Sequence, residues 1–152
     1  MDAAGIYARK SSYLECYVQI GVAGEKVISV SFPTKPDADA DADHPLLDRI
    51  FAYLEGVTDD FGDVDVGLTV PTNQRAVLEA VREIPYGEQV TVDSLVRMTP
   101  GLHQGDQAAD ELVRTALAEN PAPLLIPDHR VRDGPSAAPP DIEQRLRSLE
   151  GL

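Results

Sequence analysis

Residues 120–131 read Asn-Pro-Ala-Pro-Leu-Leu-Ile-Pro-Asp-His-Arg-Val, a short apolar run between prolines that ends in three polar side chains. An apolar run this short, bounded by prolines, is typical of a buried edge or terminal strand rather than of a helix. Asp128, His129 and Arg130 then follow the end of the predicted strand, a common position for functional side chains. Because charged neighbours tune the pKa of an imidazole, the stretch predicts a functional site or the remnant of one.

Length and composition indicate a small folded protein. The 152 residues are enough for one domain or for two small lobes that share a surface. Hydrophobic residues make up 43% of the chain, which supports a core and excludes a disordered chain. No apolar run approaches a signal peptide or a membrane span in length, so we expect a cytoplasmic protein with no membrane partner. The single cysteine, Cys16, cannot form an internal disulfide, and we expect it to be a small buried or half-buried hydrophobe.

The charge balance is strongly acidic. Asp and Glu total 26 against 13 Lys and Arg, a formal net charge of −13, and aromatic residues make up only 5%. Repulsion of this size is tolerated when salt screens it, since the Debye length falls to about 3 Å near 1 M salt. The composition therefore predicts a halophilic protein, with an ordinary acidic protein as the alternative. The global charge opposes binding to a polyanion, so any DNA binding must depend on a local basic patch.

The first seventy residues predict a small sheet with one helix. Residues 13–22 and 26–32 are rich in β-branched and aromatic side chains and predict a β-hairpin. Residues 33–43 are an aspartate-rich linker. Residues 45–54 show apolar spacing typical of a helix with proline in its first turn, and residues 64–70 alternate as a strand does.

The second half of the chain predicts a series of helices. Thr72 is the expected N-cap of a helix that runs to Ile84, and either Thr91 or Asp93 the N-cap of a short helix ending at residue 98. A third helix is expected over residues 107–119. Asp141 is the expected N-cap of a closing helix that reaches residue 149. Helix, turn, short helix, turn and helix is the order of a helix-turn-helix, with residues 107–119 as the candidate recognition element.

Two motifs in this half resemble one family. Pro127-Asp128-His129-Arg130-Val131 resembles the Pro-Cys-His-Arg-Val motif of the O6-alkylguanine-DNA alkyltransferases, and Ile84-Pro85-Tyr86-Gly87-Glu88 resembles the turn that opens their helix-turn-helix. Asn120-Pro121-x-Pro123 and the spacing between the motifs also fit. The chain is identified as a divergent, alkyltransferase-like member of this family, with Asp128 where the family has its alkyl-accepting cysteine.

The resemblance implies a fold and a division into domains. The expected class is α/β, of the α+β kind. Residues 1–70 would form a ribonuclease-H-like supporting lobe, and residues 71–152 a winged-helix or helix-turn-helix lobe that binds DNA. The similarity covers residues 72–152 well and the first seventy residues only by layout.

The resemblance also implies three catalytic positions. In the family a cysteine thiolate accepts the alkyl group, a histidine takes the thiol proton through a water, and a glutamate on the closing helix orients the histidine. These roles fall on Asp128, His129 and, by counting along the closing helix, Gln144. A carboxylate is a hard, weak nucleophile toward an alkyl ether, and Gln144 cannot stabilise an imidazolium, so we expect no alkyl transfer.

The positions that contact DNA in the family fall on Tyr86, Val92, Glu111, Arg114, Asn120 and Arg130. Glu111 stands where the family's arginine fills the gap left by the extruded nucleotide, and Val92 where a tyrosine turns that nucleotide. An acid at the first position repels phosphates. The loop at residues 136–139 reads Ser-Ala-Ala-Pro and lacks the aromatic wall of the family's alkyl pocket.

Three functions remain open on the sequence. The first is a non-catalytic relative that still recognises alkylated double-stranded DNA in the service of repair. The second is a module that has lost DNA binding and contacts a protein partner, as Glu111 and Val92 favour. The third is an enzyme of different chemistry that uses Asp128 and His129. We expect no cofactor and no metal site, since the spacing of Asp128, His129 and His103 does not predict one.

Overall fold

The computed structural model describes residues 5–152, and its elements confirm the predicted mixed α/β class. Three strands come first, followed by five α-helices and a single 3₁₀ turn. The strands are β1 (Gly5–Ser11), β2 (Cys16–Ala23) and β3 (Lys26–Ser31). The helices are α1 (Pro45–Leu54), α2 (Thr72–Val81), α3 (Val92–Met98), α4 (Gln107–Ala118) and α5 (Pro140–Glu150), and the 3₁₀ turn spans Asp128–Arg130.

The sheet is antiparallel, in the order β1-β2-β3. The predicted hairpin of β2 and β3 is confirmed, with Gly24 at a positive φ of 63° in its turn. The sequence did not predict β1, which pairs with β2 from Gly5 opposite Val22 to Ser11 opposite Cys16. Its segment, Gly-Ile-Tyr-Ala-Arg-Lys-Ser, lacks regular alternation of large apolar and polar residues, so periodicity could not reveal it. Cys16 is buried, as expected.

The strand predicted at residues 64–70 is wrong. The segment makes one isolated bridge, between Val66 and Val27, with hydrogen bonds from Val27 N to Asp65 O and from Gly67 N to Val27 O. Its alternating apolar residues are half-buried and pack against the core. The alternation therefore shows only that one side of the segment is buried. A segment that lies over the core can bury that side without pairing in a sheet.

Helix α1 forms as predicted and brings Tyr53 into the interior. His44 precedes it and accepts a hydrogen bond from Leu46 N at 3.0 Å, and Pro45 is its first residue. Gly56, with a φ of 110°, follows the end of the helix. Tyr53 lies among the buried residues of α1, so its hydroxyl needs a partner inside the protein.

Helices α2, α3 and α4 pack against one another through buried aliphatic side chains, as the helix-turn-helix order predicted. Thr91 is the N-cap of α3 and accepts from Ser94 N at 3.1 Å. The predicted caps Thr72 and Asp141 are wrong. Prolines at 71 and 139 occupy the two N-cap positions, so Thr72 is already the first helical residue of α2 and Asp141 lies inside α5.

The strand predicted within residues 120–131 is also wrong. The apolar run is buried, but it turns back on itself with Leu124 at a φ of 84° and continues into the 3₁₀ turn. Asn120 holds this turn, because its Oδ1 accepts from Ala122 N and its Nδ2 donates to Ile126 O, both at 3.0 Å. Three prolines leave the segment few backbone donors for a ladder, so burial here comes from a side-chain-supported turn.

The two predicted domains share one buried core in the described residues. Arg82 of the second half donates to the carbonyl oxygens of Phe61 and Val64, and Val30 N of the sheet donates to Pro121 O. The domain boundary near residue 70 stays a prediction. Within residues 5–152, none of the helices has the length and apolar character needed to cross a membrane.

Candidate functional site

Asp128 lies at the centre of the candidate site, and both oxygens of its carboxylate accept hydrogen bonds. Oδ1 accepts from Ser136 Oγ at 2.6 Å, while Oδ2 accepts from Ala137 N at 2.9 Å and from Asn120 Nδ2 at 3.1 Å. The side chain is in the interior, because the residue is only 1% exposed. Burial raises the pKa of the Asp128 carboxyl, and the hydrogen bonds from Ser136, Ala137 and Asn120 oppose that rise without cancelling it.

His129 follows in the 3₁₀ turn and is completely buried, at 0% exposure. Its Nε2 lies 2.8 Å from Glu150 Oε2. Its Nδ1 is buried without a hydrogen-bond partner among the described residues. Because the Glu150 carboxylate can only accept, Nε2 carries the hydrogen of this contact, and Nδ1 is the ring nitrogen that faces no partner within residues 5–152.

The residue that orients His129 is therefore Glu150, and the prediction that Gln144 does so is wrong. Gln144 is exposed, and its Nε2 makes only a 3.5 Å contact with Ser148 Oγ. Position along the closing helix therefore did not by itself identify the partner of His129. One signal could have identified Glu150, since an acid in the last turn of a helix opposes the helix dipole and needs another partner.

Glu150 is the hub of a buried polar cluster formed with Tyr53, Gly87, His129 and Arg130. Arg130 donates to it twice, from Nε to Oε1 at 2.8 Å and from Nη2 to Oε2 at 3.1 Å, and Gly87 N donates to Oε1 at 3.1 Å. The Tyr53 hydroxyl donates to Oε2. Burial alone would raise the pKa of Glu150, but the hydrogen bonds from His129 and Arg130 outweigh it and lower the pKa to about 2. Burial, followed by the charge of Glu150, raises the pKa of Tyr53.

Arg130 connects this cluster to the turn that opens the helix-turn-helix. Its Nη1 donates to Ile84 O at 2.6 Å and to Asp60 Oδ1 at 3.1 Å. The same Asp60 oxygen accepts from Tyr86 N at 2.8 Å, and the Tyr86 ring lies 5.8 Å from the guanidinium. The carboxylates of Asp60 and Glu150 thus hold the turn directly at its backbone N–H groups, and the buried Arg130 joins the two carboxylates.

The predicted DNA contacts divide into buried and exposed positions. Val92, Asn120 and Arg130 are buried, so their side chains are not available to DNA in this structure. Val92 packs against Gly134, where an added Cβ would lie 3.1 Å from its Cγ2. The small size of glycine therefore allows the loop to approach α3, and Val92 serves in the core. Tyr86, half-buried, and the exposed Glu111 and Arg114 remain predictions for DNA contact.

The outward face of α4 is acidic at the positions expected to meet DNA. Arg114 donates to Asp110 Oδ2 at 2.9 Å and to Asp133 O at 3.1 Å. Glu111 accepts from Gln107 Nε2 at 3.4 Å. The cation of this face, Arg114, is thus paired with Asp110, while Glu111 contacts only a neutral side chain and keeps its charge uncompensated. Other arginines of this half are engaged in the same way, in ion pairs with acids or in bonds to carbonyl oxygens: Arg75, Arg82, Arg145 and Arg147.

Two open cavities lie away from Asp128. One, of about 400 Å³, lies between β2, β3 and α1, and the other, of about 240 Å³, lies between α3 and the start of α4. Over residues 5–152 no group of three or more His, Cys, Asp or Glu side chains is arranged to hold a metal ion. Asp128, His129 and His103 therefore do not form a metal site in the described part of the chain.

Known proteins similar to this chain agree with the motif and the fold. A family model described as the DNA-binding domain of 6-O-methylguanine DNA methyltransferase matches residues 72–146. The methylated-DNA–protein-cysteine methyltransferase of Methanopyrus kandleri is 35% identical over 109 residues, covering 70% of this chain and 78% of that protein. The enzyme of the same name from Archaeoglobus fulgidus is 28% identical over 148 residues, covering 91% of this chain and 95% of that protein.

Solved structures show the same fold over nearly the whole chain. The Mycobacterium tuberculosis OGT in complex with DNA superposes with a TM-score of 0.73 at 22% identity, covering 97% of this chain and 91% of that chain. The O6-methylguanine-DNA methyltransferase of Pyrococcus kodakaraensis gives a TM-score of 0.70 at 18% identity, covering 99% and 100%. Fold and motif thus define an alkyltransferase-like protein. The chain belongs to the methylated-DNA–protein-cysteine methyltransferase family.

Proposed function

We propose that this protein is a non-catalytic member of the family that recognises DNA in connection with alkylation repair and accepts no alkyl group itself. The observation that supports this proposal is the state of Asp128. Its carboxylate stands at the family's nucleophile position, is 1% exposed and accepts three hydrogen bonds. Three of the roughly four lone-pair sites of a carboxylate are thus engaged, which weakens the group further as a nucleophile toward carbon.

The chemistry of a carboxylate also argues against alkyl transfer. Displacement of an alkyl group from a guanine oxygen needs a soft, strong nucleophile, and a thiolate made by an adjacent base supplies it. The base-and-orienter pair of that mechanism persists here as His129 and Glu150, 2.8 Å apart. The missing component is therefore the sulfur itself. Cys16 cannot substitute, because it is buried in β2 and burial raises its thiol pKa.

DNA recognition is supported by family membership and by the retained turn. The matched family model is a DNA-binding domain, and the relative from Mycobacterium tuberculosis was solved in complex with DNA. The Tyr86–Gly87 turn is held rigidly by Asp60 and Glu150. The net charge of −13, with Asp110 and Glu111 on the exposed side of α4, opposes this function at low salt. We expect added salt to weaken binding less than it does for a basic protein, because screening here removes a repulsion.

Mass spectrometry tests the loss of alkyl transfer. The protein is incubated with excess duplex containing O6-methylguanine, and the enzyme of Methanopyrus kandleri serves as the positive control. We expect the intact mass to stay unchanged while the control gains one methyl group. A methyl adduct on this chain, at any residue, would overturn the proposal that it is non-catalytic.

A binding titration tests DNA recognition. Fluorescent duplexes with and without O6-methylguanine are titrated at low and at molar salt, with the wild type and with Glu111→Gln. We expect Glu111→Gln to bind several-fold more tightly than the wild type at low salt, since it removes a negative charge facing phosphates. Glu79→Gln is the matched control, because Glu79 is an exposed helical acid on α2 paired with Arg75. Equal effects from both substitutions would show that α4 does not face DNA.

A protein-interaction module is the second candidate, and the acidic outer face of α4 favours it. On that alternative neither duplex binds at either salt concentration, and Glu111→Gln changes nothing. The geometry does not favour the third candidate, hydrolysis by Asp128 and His129. Both residues are buried, and the Asp128 carboxylate is bound by the loop that covers it, so a substrate has no access to them.

A further inference from the structure

We propose that Asp128 is the intramolecular occupant of a carboxylate-binding site and that, by occupying it, Asp128 latches the loop at residues 133–139 onto the helix-turn-helix half. The site consists of three donors, the Asn120 Nδ2–H, the Ser136 Oγ–H and the Ala137 N–H. This inference goes beyond the proposed function, because it concerns closure of the loop and holds whether or not the protein binds DNA.

The donors come from two segments that the carboxylate ties together. Asn120 lies just past the end of α4, while Ser136 and Ala137 belong to the loop before α5. The three donor–acceptor distances are 3.1, 2.6 and 2.9 Å. Ser136 Oγ also accepts from Ala138 N at 3.1 Å, which fixes the orientation of its hydroxyl. The donors are therefore already arranged for two carboxylate oxygens.

No cation forms a salt bridge with this carboxylate among the described residues. The ion pairs of the cluster go to Glu150 and Asp60, and Asp128 takes part in none of them. A buried carboxylate is costly unless its oxygens are satisfied, and here neutral donors do so alone. Such donors would bind any small carboxylate of suitable shape. This site differs from one for a free anion because the carboxylate that occupies it is part of the same chain.

The loop has few other polar attachments in its middle. At its start, Asp133 Oδ1 accepts from Val92 N at 2.7 Å. Gly134 packs so closely that an added Cβ would lie 2.8 Å from Leu117 Cδ1. Prolines at 135, 139 and 140 carry no N–H group. The bonds from Ser136 and Ala137 to Asp128 are therefore the main polar contacts that hold the centre of the loop down.

Chemical rescue tests the latch. Asp128→Ala removes only the carboxylate, so formate matches the missing group. Hydrogen exchange at the Ala137 amide is compared in sodium formate and in sodium chloride of equal ionic strength. We expect exchange to rise about tenfold in Asp128→Ala, consistent with loss of a hydrogen bond to a charged group. Formate, and not chloride, should reverse this rise with saturable dependence.

Controls separate the latch from general destabilisation. Asp128→Asn keeps an oxygen for Ala137 and Asn120 and an amide N–H for the Ser136 oxygen, so we expect a smaller rise in exchange than in Asp128→Ala and no response to formate. Wild-type exchange at Ala137 in Asp128→Ala, or equal effects of formate and chloride, would overturn the proposal. If Asp128→Ala does not fold, the variant Ser136→Ala tests the latch instead. It should speed exchange at Ala137 and leave exchange in α4 unchanged, and no change at Ala137 would refute the latch.

Discussion

Substitution of Glu150 by glutamine should destabilise the protein severely although it changes one atom. Oε1 accepts from Arg130 Nε and Gly87 N, while Oε2 accepts from His129 Nε2, Arg130 Nη2 and the Tyr53 hydroxyl. An amide NH₂ placed at either oxygen position therefore faces at least two donors. The substitution also removes the negative charge beside a buried guanidinium.

The size of the effect follows from these contacts. Removing one partner of a buried ion pair costs about 3–5 kcal/mol. Arg130 keeps a bond to Asp60, which is half exposed, so we expect the lower end, about 3 kcal/mol. For a chain of this size that is a fall in melting temperature of about 6–12 °C.

Thermal melts followed by circular dichroism measure the effect, with Glu79→Gln as the control. The ion pair of Glu79 with Arg75 is exposed, so its loss should cost less than about 0.5 kcal/mol. The deficit of Glu150→Gln should persist in molar salt, because salt screens buried pairs weakly. A loss below about 1 kcal/mol, or one that disappears in molar salt, would refute the view that Glu150 is the hub of the cluster.

Three further outcomes are expected. Because the folded pKa of Glu150 is lowered to about 2 from its ordinary value of 4.5, its contribution to stability is full above pH 4.5 and is lost as the pH falls toward 2. Urea titrations across that range should show a smaller loss in Glu150→Gln than in the wild type. Thermal melts across a chloride series should show a melting temperature that rises with salt, and a flat or falling one would contradict salt adaptation. Asp128→Cys removes the carboxylate that binds the covering loop, so a small reagent should reach the new thiol. We expect the pKa of this thiol to lie below the ordinary value of about 8.5, since His129 and Glu150 are retained. We expect no stoichiometric demethylation of O6-methylguanine duplex, because Glu111 and Val92 do not supply the side chains that extrude the nucleotide. The pH profile of iodoacetamide labelling measures the first outcome and a duplex repair assay the second. Rapid repair would show that extrusion of the nucleotide does not depend on the residues at positions 92 and 111.

The order of the elements could be predicted wherever local physical preferences agree with the fold. The β2–β3 hairpin, α1 and the helices of the second half appear as predicted, because their apolar spacing matches the faces that they bury. The predictions at residues 64–70 and 120–126 failed because apolar spacing reports burial and not hydrogen bonding. Whether a buried segment joins a ladder depends on its neighbours in space, which periodicity does not show.

The sequence alone determined the family, through two motifs whose residues are close together along the chain, and it identified Asp128 as the departure from the family pattern. The partners of those residues lie far away along the chain. Tyr53 and Asp60 reach Arg130 and Glu150 from the first half, and Ser136 reaches Asp128 across the loop. Hydrogen-bond geometry decides such contacts within a few tenths of an ångström. Position along the chain is much coarser, and it placed the role of Glu150 six residues away, on Gln144. Only the tertiary structure could therefore show that the histidine–glutamate pair is intact and that the carboxylate beside it is bound by the loop.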